Sequence, residues 1–383
     1  MDAILIEFAL VVSLTLLAYT YVGYPLLLWV LARSFPLAVR RQEYQPFVTV
    51  IIVVYNEEKR IAAKIETCMA LDYPREKLRV LVASDGSEDG TNEVVAGFAD
   101  REVRLLAFPS RRGKAACLND AVAKAEGEIV LFTDARQRLD PNAVRYLVEN
   151  FADPSVGAVS GELEFETEGM SSFGGGVDSY WRYEKFIRQQ ESRLHSVVGV
   201  TGALYALRRD CFQRIPDDTI LDDVVIPMNA AMTGKRILFE SRAKAFDLPS
   251  RDTRQEKVRK VRTIAGNYQM LVSNPEFLMP WRNPIFLQLI SHKVLRLLGP
   301  LCMGILLISN IWLASTAVGY QILLGAQLAA YALPVIGAIW PGAGQFKIVK
   351  LANAFLVLNW FAVLGAVEYF RNRNAHLWDA KRR

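Results

Sequence analysis

Long apolar stretches at both ends of the chain constrain its fold more than any other feature. Residues 3–32 carry almost no charge, and most of residues 297–370 are equally apolar. A helix that crosses a bilayer needs about 20 consecutive apolar residues, so both stretches are long enough to span one. The middle of the chain, residues 45–272, has the mixed composition of a soluble domain. We therefore predict a soluble domain attached to a membrane at both of its ends.

The first apolar stretch has the features of a permanent membrane anchor. It lacks the basic leading segment and the small-residue cleavage site of a removable signal peptide. Arg33, Arg40 and Arg41 follow it, and positive charges concentrate on the cytoplasmic side of membrane helices. We therefore predict an N-terminal transmembrane helix over residues 1–32, in the cell membrane (inner or plasma membrane), with the middle domain in the cytoplasm.

The C-terminal stretch predicts about three further membrane helices, near residues 297–316, 319–340 and 348–370. Residues 275–296, with prolines and scattered charges, are expected to form an interfacial amphipathic segment, with a plain linker as the alternative. A basic tail follows at residues 371–383. Counting the helices of this multi-pass chain puts the tail outside, whereas its arginines favour the inside. The sequence leaves this conflict open.

Composition excludes several classes of protein. The four cysteines stand far apart without a CxxC pair, which indicates neither a disulfide framework nor a zinc site. The net charge of +5 is modest, and its basic residues cluster near the apolar stretches. This distribution favours membrane lipids or phosphorylated substrates as partners and predicts no nucleic-acid partner. The phosphate loops GxGxxG and GxxxxGK[ST] are absent, which argues against a dehydrogenase or a P-loop NTPase.

The middle domain alternates between strand-like and helix-like patterns. Short apolar runs occupy residues 48–54, 78–84, 103–108, 128–133 and 156–166, and helical patterns separate most of them. Strands that alternate with helices predict an α/β domain with a mostly parallel sheet. In such sheets ligands bind in the crevice at the carboxyl ends of the strands.

Acidic side chains follow the predicted strands at that edge. Glu57 comes after the first strand, Asp85 after the second and Asp134 after the fourth. One such acid often only caps the next helix, but three together favour a crevice that binds a nucleobase, a ribose or a metal. Lys114 follows Gly113 at a helix start, where it is placed to reach a phosphate. A solvated surface lysine is the alternative for Lys114.

The second half of the domain adds a candidate base and an acceptor side. Gly199 and Gly202, in the strand-like stretch VVGVTGALYALRR, leave room for a close ligand. Asp222 and Asp223 then begin an apolar helix. One acid there suits the helix dipole, but a second adjacent acid is more than capping needs. A partly desolvated carboxylate facing a crevice can act as a general base.

Two basic residues mark a later helix. Arg259 and Arg262 lie one turn apart on the same face. Such a pair can clamp a diphosphate through charge-assisted hydrogen bonds. A basic face lying against anionic lipid is the alternative.

Taken in order, these motifs resemble a known family. Their order along the chain is the one seen in membrane-integrated family 2 glycosyltransferases. The motifs are VIIVVYNEE, ASDGSEDGT, RRGKAACLN, FTDA, LDD and RKVR. The resemblance is to the group of hyaluronan, chitin, cellulose and poly-N-acetylglucosamine synthases. It implies a GT-A fold (Rossmann-like), a nucleotide-sugar donor, a glycan or lipid-linked acceptor, inversion at the anomeric carbon and a divalent cation, Mg²⁺ or Mn²⁺.

The resemblance also implies roles for individual residues. The donor-binding residues would be Tyr55, Glu57, Asp85, Lys114, Asp134, Arg136, Arg259 and Arg262. Asp223 matches the general base, the last acid of the TED motif, and Asp222 stands beside it in the catalytic pair. Thr201 and Gly202 would lie on the acceptor side. Asp134 matches the first acid of the DxD motif and would hold the metal.

The chain departs from the family pattern at three places. Leu221 and Asp222 replace the first two residues of TED, with the base kept. Arg259 and Thr263 replace the glutamine and the tryptophan of QxxRW, which leaves processivity open. Arg136 replaces the second acid of DxD. Either its guanidinium binds a phosphate, or it points away and Asp134 holds the ion with the diphosphate oxygens; we expect the second.

The sequence therefore predicts an inverting hexosyltransferase that uses UDP-GlcNAc or UDP-glucose at the inner face of the membrane. Its product would be a growing polysaccharide or another glycan, such as an exopolysaccharide. One alternative is a single addition to a lipid-linked acceptor. Another is a catalytically silent relative that binds a nucleotide or a glycan in a membrane complex. A homo-oligomer and export partners are left open.

Overall fold

The middle of the chain forms one eight-stranded sheet covered by helices. A computed structural model describes residues 3–166, 175–248, 253–340 and 342–372. The strands are β1 (Val48–Val54), β2 (Leu78–Ser84), β3 (Val103–Ala107), β4 (Ile129–Phe132), β5 (Arg138–Leu139), β6 (Val156–Phe165), β7 (Tyr205–Arg208) and β8 (Arg236–Asp247). The helices are α1 (Ala3–Ala18), α2 (Tyr24–Ser34), α3 (Glu58–Met69), α4 (Thr91–Ala96), α5 (Lys114–Lys124), α6 (Ala143–Val148), α7 (Gly175–Leu194), α8 (Asp222–Met232), α9 (Thr253–Ser273), α10 (Phe286–Leu289), α11 (Leu295–Leu313), α12 (Val318–Ile339) and α13 (Lys347–Arg371).

The strand order is β3-β2-β1-β4-β7-β6-β8-β5. The first four strands of this order are parallel, and β8 is parallel to β6. β7 runs antiparallel between β4 and β6, and β5 is antiparallel to β8. The predicted mostly parallel α/β sheet is therefore confirmed. The parallel half brings the ends of β1, β2 and β4 to one edge.

Both faces of the sheet are buried. In β1, Ile51 packs with Phe132 in one hydrophobic core, whereas Val50 and Ile52 pack in a second core. Neighbouring residues of a strand point to opposite faces, so the two cores lie on opposite sides of the sheet. Strands covered on both faces need continuous apolar runs, which explains why VTVIIVV contains no charged residue.

The sequence analysis missed β8 and overestimated β7. The strand β8 has the sequence RILFESRAKAFD, whose second half alternates small or aromatic residues with charged ones and lacks a strong apolar run. Of the predicted strand-like stretch 197–209, the structure forms a strand only over Tyr205–Arg208. Gly199, at φ +91°, lies in the loop that precedes this strand.

Within the described residues, four helical segments are long and apolar enough to cross a membrane. They are Ala3–Ser34, Phe286–Leu313, Val318–Ile339 and Lys347–Arg371. These segments agree with the membrane helices predicted at the two ends of the chain. The first segment joins α1 to α2 through a π-helical turn at Tyr19–Gly23, and the second joins α10 to α11 through another at Ile290–Val294.

The second membrane segment begins earlier than the predicted boundary at residue 297. The helix is continuous from Phe286, inside the stretch 275–296 that was expected to lie at the interface. Two charged residues of this stretch, His292 and Arg296, contact Glu184 of α7. The helix that begins at Phe286 is therefore joined to the soluble domain through these charges.

Both ends of α12 contact helices of the other membrane segments. At its start, Tyr320 donates a hydrogen bond of 3.1 Å to Glu7 near the beginning of α1. At its end, Gly337 packs directly against Val349, near the start of α13. The helix α13 has 25 residues, so its two ends lie about 37 Å apart at 1.5 Å per residue.

The far end of α13 reaches the soluble domain. Gly365 packs against Ile264 of α9, and Arg371 lines a cleft of the domain. The C-terminal end of α13, the last described helix, therefore lies beside the soluble domain. Residues 373–383 of the predicted tail lie outside the described residues.

Candidate active site

A cleft of about 1190 Å³ lies at the carboxyl ends of β1, β2 and β4. We call the part lined by Tyr55, Glu57 and Asp85 its strand end. We call the part lined by His292 and Lys293, where the membrane helices meet the domain, its membrane end. The residues predicted from the sequence all line this cleft: Tyr55, Glu57, Asp85, Lys114, Asp134, Arg136, Thr201, Gly202, Asp222, Asp223, Arg259 and Arg262.

At the strand end, Asp85 organises the loop before α5. Its two carboxylate oxygens accept hydrogen bonds from the backbone N–H groups of Arg112 at 2.7 Å and of Gly113 at 2.9 Å. Gly113 has φ +97°, a conformation that favours glycine. Asp85 therefore fixes the start of the helix that carries Lys114, as well as lining the cleft.

An arginine that the sequence analysis did not single out completes the strand end. The Arg111 guanidinium lies 4.1 Å from the centre of the Tyr55 ring. Its Nε and Nη2 atoms are buried without a hydrogen-bond partner among the residues that the structure describes. Buried donors of this kind are costly unless a ligand satisfies them. Glu57, also buried, forms an ion pair with Arg60 at 3.2 Å.

Lys114 connects the acids at the centre of the cleft. Its Nζ lies 3.0 Å from Asp134 Oδ1 and 3.2 Å from Asp222 Oδ2. Burial alone would lower the pKa of Lys114, but Asp134, Asp222 and Asp223 together raise it above its ordinary value. The ammonium therefore stays charged and holds a cluster of carboxylates that lie just after β4 and at the start of α8.

The pKa of Asp223 is raised above its ordinary value. Burial raises its pKa most, and the neighbouring Asp222 raises it further, whereas Lys114 and Lys293 oppose the rise; the pKa comes to about 6. A Cβ atom at Gly202 would lie 3.2 Å from Asp223 Oδ2, so the missing side chain leaves the carboxylate accessible. A carboxylate with a pKa near neutrality is suited to proton transfer.

A second arginine absent from the sequence prediction holds the loop that contains Thr201 and Gly202. Arg188 of α7 donates from Nη1 to Thr201 Oγ1 at 2.9 Å and from Nη2 to Ser160 Oγ and the Gly199 carbonyl, both at 3.3 Å. The Val200 N–H donates to the Asp223 carbonyl at 2.8 Å. These bonds tie the loop to α7 and to α8 at once.

Arg136 pairs with an acid that comes from β8. Its guanidinium donates to Asp247 Oδ2, and Gln137 Nε2 donates to the same oxygen at 3.0 Å. Asp247 is buried, and its Oδ1 has no hydrogen-bond partner in the described part of the chain. The structure thus gives the Arg136 guanidinium a protein partner, although the side chain still lines the cleft.

The two predicted arginines of α9 differ in their surroundings. Burial lowers the pKa of Arg262, while Asp222, Asp223 and Asp134 act in the opposite direction. Arg262 therefore faces the central acids. Arg259 is more exposed and lies 3.9 Å from Glu256 of its own helix.

The membrane end contains a buried network that the sequence analysis missed. His292 Nδ1 lies 2.8 Å from Glu191 Oε1, and its Nε2 lies 3.0 Å from Glu184 Oε2. Tyr24 donates to Glu191 Oε1 at 2.6 Å, and Arg296 donates to Glu184 Oε1. Burial would raise the pKa of Glu184, but Arg296 and His292 hold it well below its usual value. The network joins α2, α7 and the second membrane segment beside the cleft.

The donor atoms at the centre fit a metal ion that shares its coordination with a substrate. Within the described ranges, no group of three or more His, Cys, Asp or Glu residues is arranged to hold an ion. Asp134, however, is 38% exposed and bonds to Lys114 only through Oδ1. Mg²⁺ is commonly bound by one or two carboxylates together with substrate phosphates and water. Asp134 alone therefore fits an ion that arrives with a diphosphate.

Comparison with known proteins decides the family. Residues 49–215 match the model of the family named Glycosyl transferase family 2. These residues form a family 2 glycosyltransferase domain. The matched segment runs from the start of β1 past β7 and contains the strand end of the cleft, Lys114 and Asp134.

Two bacterial relatives of this glycosyltransferase are poly-β-1,6-N-acetyl-D-glucosamine synthases. The one from Staphylococcus epidermidis is 23% identical over 232 residues, and the one from Staphylococcus aureus strain COL is 25% identical over 232 residues. Each match covers 59% of this chain and 55% of the relative. The chain therefore spans about half the length of these relatives.

A solved structure supports the fold over nearly the whole chain. The mannosyltransferase PcManGT from Pyrobaculum calidifontis, in complex with GDP-Man and Mn²⁺, is 26% identical with a TM-score of 0.71. The superposition covers 95% of this chain and 99% of that one. The predicted GT-A-like domain with membrane helices at both ends is thereby confirmed.

Proposed function

We propose that this glycosyltransferase moves a sugar from a nucleotide-sugar to a growing glycan, with inversion at the anomeric carbon. UDP-GlcNAc is the first candidate donor and UDP-glucose the second. The observation that carries the proposal is the position of Asp223. A carboxylate with a pKa near neutrality shares one cleft with acids held by Lys114. A direct displacement needs such a base on one side and positive charge on the other.

The strand end supports binding of the donor. The Tyr55 ring and the unsatisfied donors of Arg111 provide a surface for a base and for polar atoms of the nucleotide. Lys114 and Arg262 then place two positive charges toward the centre of the cleft. Positive groups in these positions suit the diphosphate of the donor, because charge-assisted bonds to phosphate are strong.

The proposed reaction is a single displacement. Asp223 removes the proton of an acceptor hydroxyl, and the oxygen attacks the anomeric carbon from the face opposite the diphosphate. The bond between that carbon and the diphosphate oxygen breaks, and its electron pair leaves with the nucleoside diphosphate. Lys114 and Arg262 stabilise the charge that develops there. A divalent cation held by Asp134, when bound, would supply further positive charge to the diphosphate.

The staphylococcal relatives support a polymer of N-acetylglucosamine as the product, because their names state that product. One observation favours the second candidate, a single addition to a lipid-linked acceptor. Thr263 lines the cleft where processive members of the family carry a tryptophan. The Pyrobaculum enzyme binds GDP-Man, so GDP-mannose belongs in the same test.

The function is tested by turnover of three donors. Purified protein in detergent is incubated with UDP-GlcNAc, UDP-glucose or GDP-mannose, and the released nucleotide and the mass of the product are measured. We expect UDP release with UDP-GlcNAc, a ladder of N-acetylglucosamine additions, and loss of activity in EDTA that Mg²⁺ or Mn²⁺ restores. A product with one added sugar would select the lipid-linked alternative. Nucleotide binding without release from any donor would contradict the proposal.

The catalytic domain is proposed to face the cytoplasm, where nucleotide sugars are made. Arg33, Arg40 and Arg41 follow the first membrane segment directly, and positive charge marks the cytoplasmic side. Protease added to intact cells is expected to leave the domain uncut. Cleavage within residues 45–272 under those conditions would contradict this orientation.

A further inference from the structure

Lys293 is a cation of the cleft that the reaction described above does not use. It lines the membrane end, at the start of the second membrane segment. Its charged neighbours have protein partners, since His292 and Arg296 both contact Glu184. Lys293 itself makes no hydrogen bond or ion pair with any residue in the described parts of the chain. A lysine that is partly buried beside a cleft without such a partner is costly unless a ligand satisfies it.

The local backbone directs this lysine into the cleft. Lys293 belongs to the π-helical turn Ile290–Val294, and π-turns within α-helices occur frequently at functional sites. Ser291 shares a hydrogen bond of 2.8 Å with Tyr19, which lies in the other π-helical turn. His292 is held against α7 by its contacts with Glu191 and Glu184. The residues before Lys293 are therefore held by two helices, and the lysine is left facing the cavity.

The surrounding charges select the kind of ligand. Burial and Asp222 raise the pKa of Asp223, whereas Lys114 and, to a smaller extent, Lys293 lower it. The charges around Lys293 are two carboxylates, Glu184 and Asp223, and two guanidinium groups, Arg188 and Arg296. They balance one another, so Lys293 adds one positive charge and not a cluster of cations that would select a phosphate. A hydroxyl group is different, because it can accept a hydrogen bond from an ammonium and donate one to a carboxylate. The site suits a neutral sugar.

We propose that Lys293 binds the acceptor sugar. Its ammonium donates a hydrogen bond to an oxygen of the terminal acceptor sugar and so holds the attacking hydroxyl against Asp223. Lys293 keeps its proton throughout, and the only proton that moves is the one taken up by Asp223. This inference rests on the proposed function and adds a residue that determines how the acceptor is placed.

The test separates transfer from hydrolysis of the donor. Lys293→Met, Lys293→Arg and a control, Lys124→Met, which alters an exposed lysine of α5, are incubated with UDP-GlcNAc. Total UDP and free N-acetylglucosamine are measured, and their difference gives the sugar transferred to the acceptor. We expect the ratio of transfer to hydrolysis to fall about 10- to 100-fold in Lys293→Met, the range for loss of a charged hydrogen bond. UDP affinity should stay unchanged, and Lys293→Arg should recover part of the ratio.

The outcomes separate a failure of the role proposed for Lys293 from a failure of the proposed glycosyl transfer. If the unaltered protein releases no UDP, the proposed function fails and the role of Lys293 fails with it. If the unaltered protein is active and Lys293→Met keeps its ratio of transfer to hydrolysis, only the role of Lys293 is overturned. Loss of UDP affinity in Lys293→Met would also overturn it, because the lysine would then support the donor site or the fold. A ratio no higher in Lys293→Arg than in Lys293→Met would contradict a role through donated hydrogen bonds.

Discussion

The two ends of the cleft hold their charges in different ways. At the strand end and centre, acids bond to backbone N–H groups or to one lysine, as Asp85 and Asp134 do. At the membrane end, charged side chains compensate one another, as Glu184 does with His292 and Arg296. The first arrangement leaves the Nε and Nη2 donors of Arg111 available to a ligand, whereas the second pairs the cations with a carboxylate of the protein. We infer from this difference that charge at the strand end serves binding, whereas most charge at the membrane end serves assembly.

The largest expected effect follows from breaking the network at the membrane end. Glu184→Ala leaves Arg296 and His292 buried without their shared carboxylate, and removal of one partner of a buried pair costs about 3–5 kcal/mol. We expect the thermal unfolding midpoint in detergent to fall clearly. Glu66→Ala, which breaks an exposed pair with Arg101, is the control and should change it little. Equal effects of the two substitutions would contradict the comparison.

At the centre of the cleft, the loss should appear in ligand binding. Lys114→Met removes the cation between Asp134 and Asp222, so we expect UDP affinity to fall about 10- to 100-fold, as for a charge-assisted hydrogen bond. Titration calorimetry with UDP measures it, with Lys124→Met of the same helix as the control. An unchanged affinity would show that Lys114 serves only to hold the acids.

Arg136 separates the two alternatives that the sequence left open. Arg136→Met leaves the buried Asp247 with Gln137 as its remaining partner, which should lower the free energy of unfolding by about 1–3 kcal/mol. UDP affinity should stay within a few-fold of the unaltered protein. A loss of UDP affinity as large as that in Lys114→Met would show that the guanidinium binds a phosphate.

The pH dependence of transfer tests the electrostatics of the centre. Asp223 must be ionised to accept a proton, and its pKa is about 6, so the rate should rise with pH through this value. At pH 5 the ionised fraction is roughly one tenth of the total, and we expect about a tenfold lower rate than at pH 7. The pKa of Asp223 is higher in the folded protein than in the unfolded chain. The free energy of unfolding therefore falls as pH rises from the unfolded pKa to about 6.

The measurement is the rate of transfer at saturating donor between pH 5 and pH 8. In Lys114→Met, a positive charge that lowers the pKa of Asp223 is lost, so the midpoint should move to higher pH. A rate that is constant across this range would exclude Asp223 as the group that limits the reaction.

The same comparison explains what the sequence could predict. Glu57, Asp85 and Asp134 follow apolar strands directly, so their common edge can be derived from the alternating pattern. Asp223 and Lys114 begin helices that follow loops at the same edge. Local order along the chain therefore predicts the residues that line the strand end and the centre.

The remaining parts depend on pairs that are distant in sequence. Arg136 meets Asp247 over 111 positions, and the strand β8 that carries Asp247 has no strong apolar run. His292 meets Glu184 over 108 positions, and the two residues belong to the second membrane segment and to α7. No periodicity in the sequence reports such pairs, because each partner lies in a different element.

The central claim is that Asp223 removes the proton of the acceptor. The direct test compares UDP release and UDP affinity in Asp223→Asn with those in Asp218→Asn, which alters an exposed acid outside the cleft. We predict that Asp223→Asn lowers turnover of UDP-GlcNAc about 10²- to 10⁴-fold, the range for loss of a general base, with UDP affinity unchanged. Turnover in Asp223→Asn equal to that in Asp218→Asn would contradict the claim.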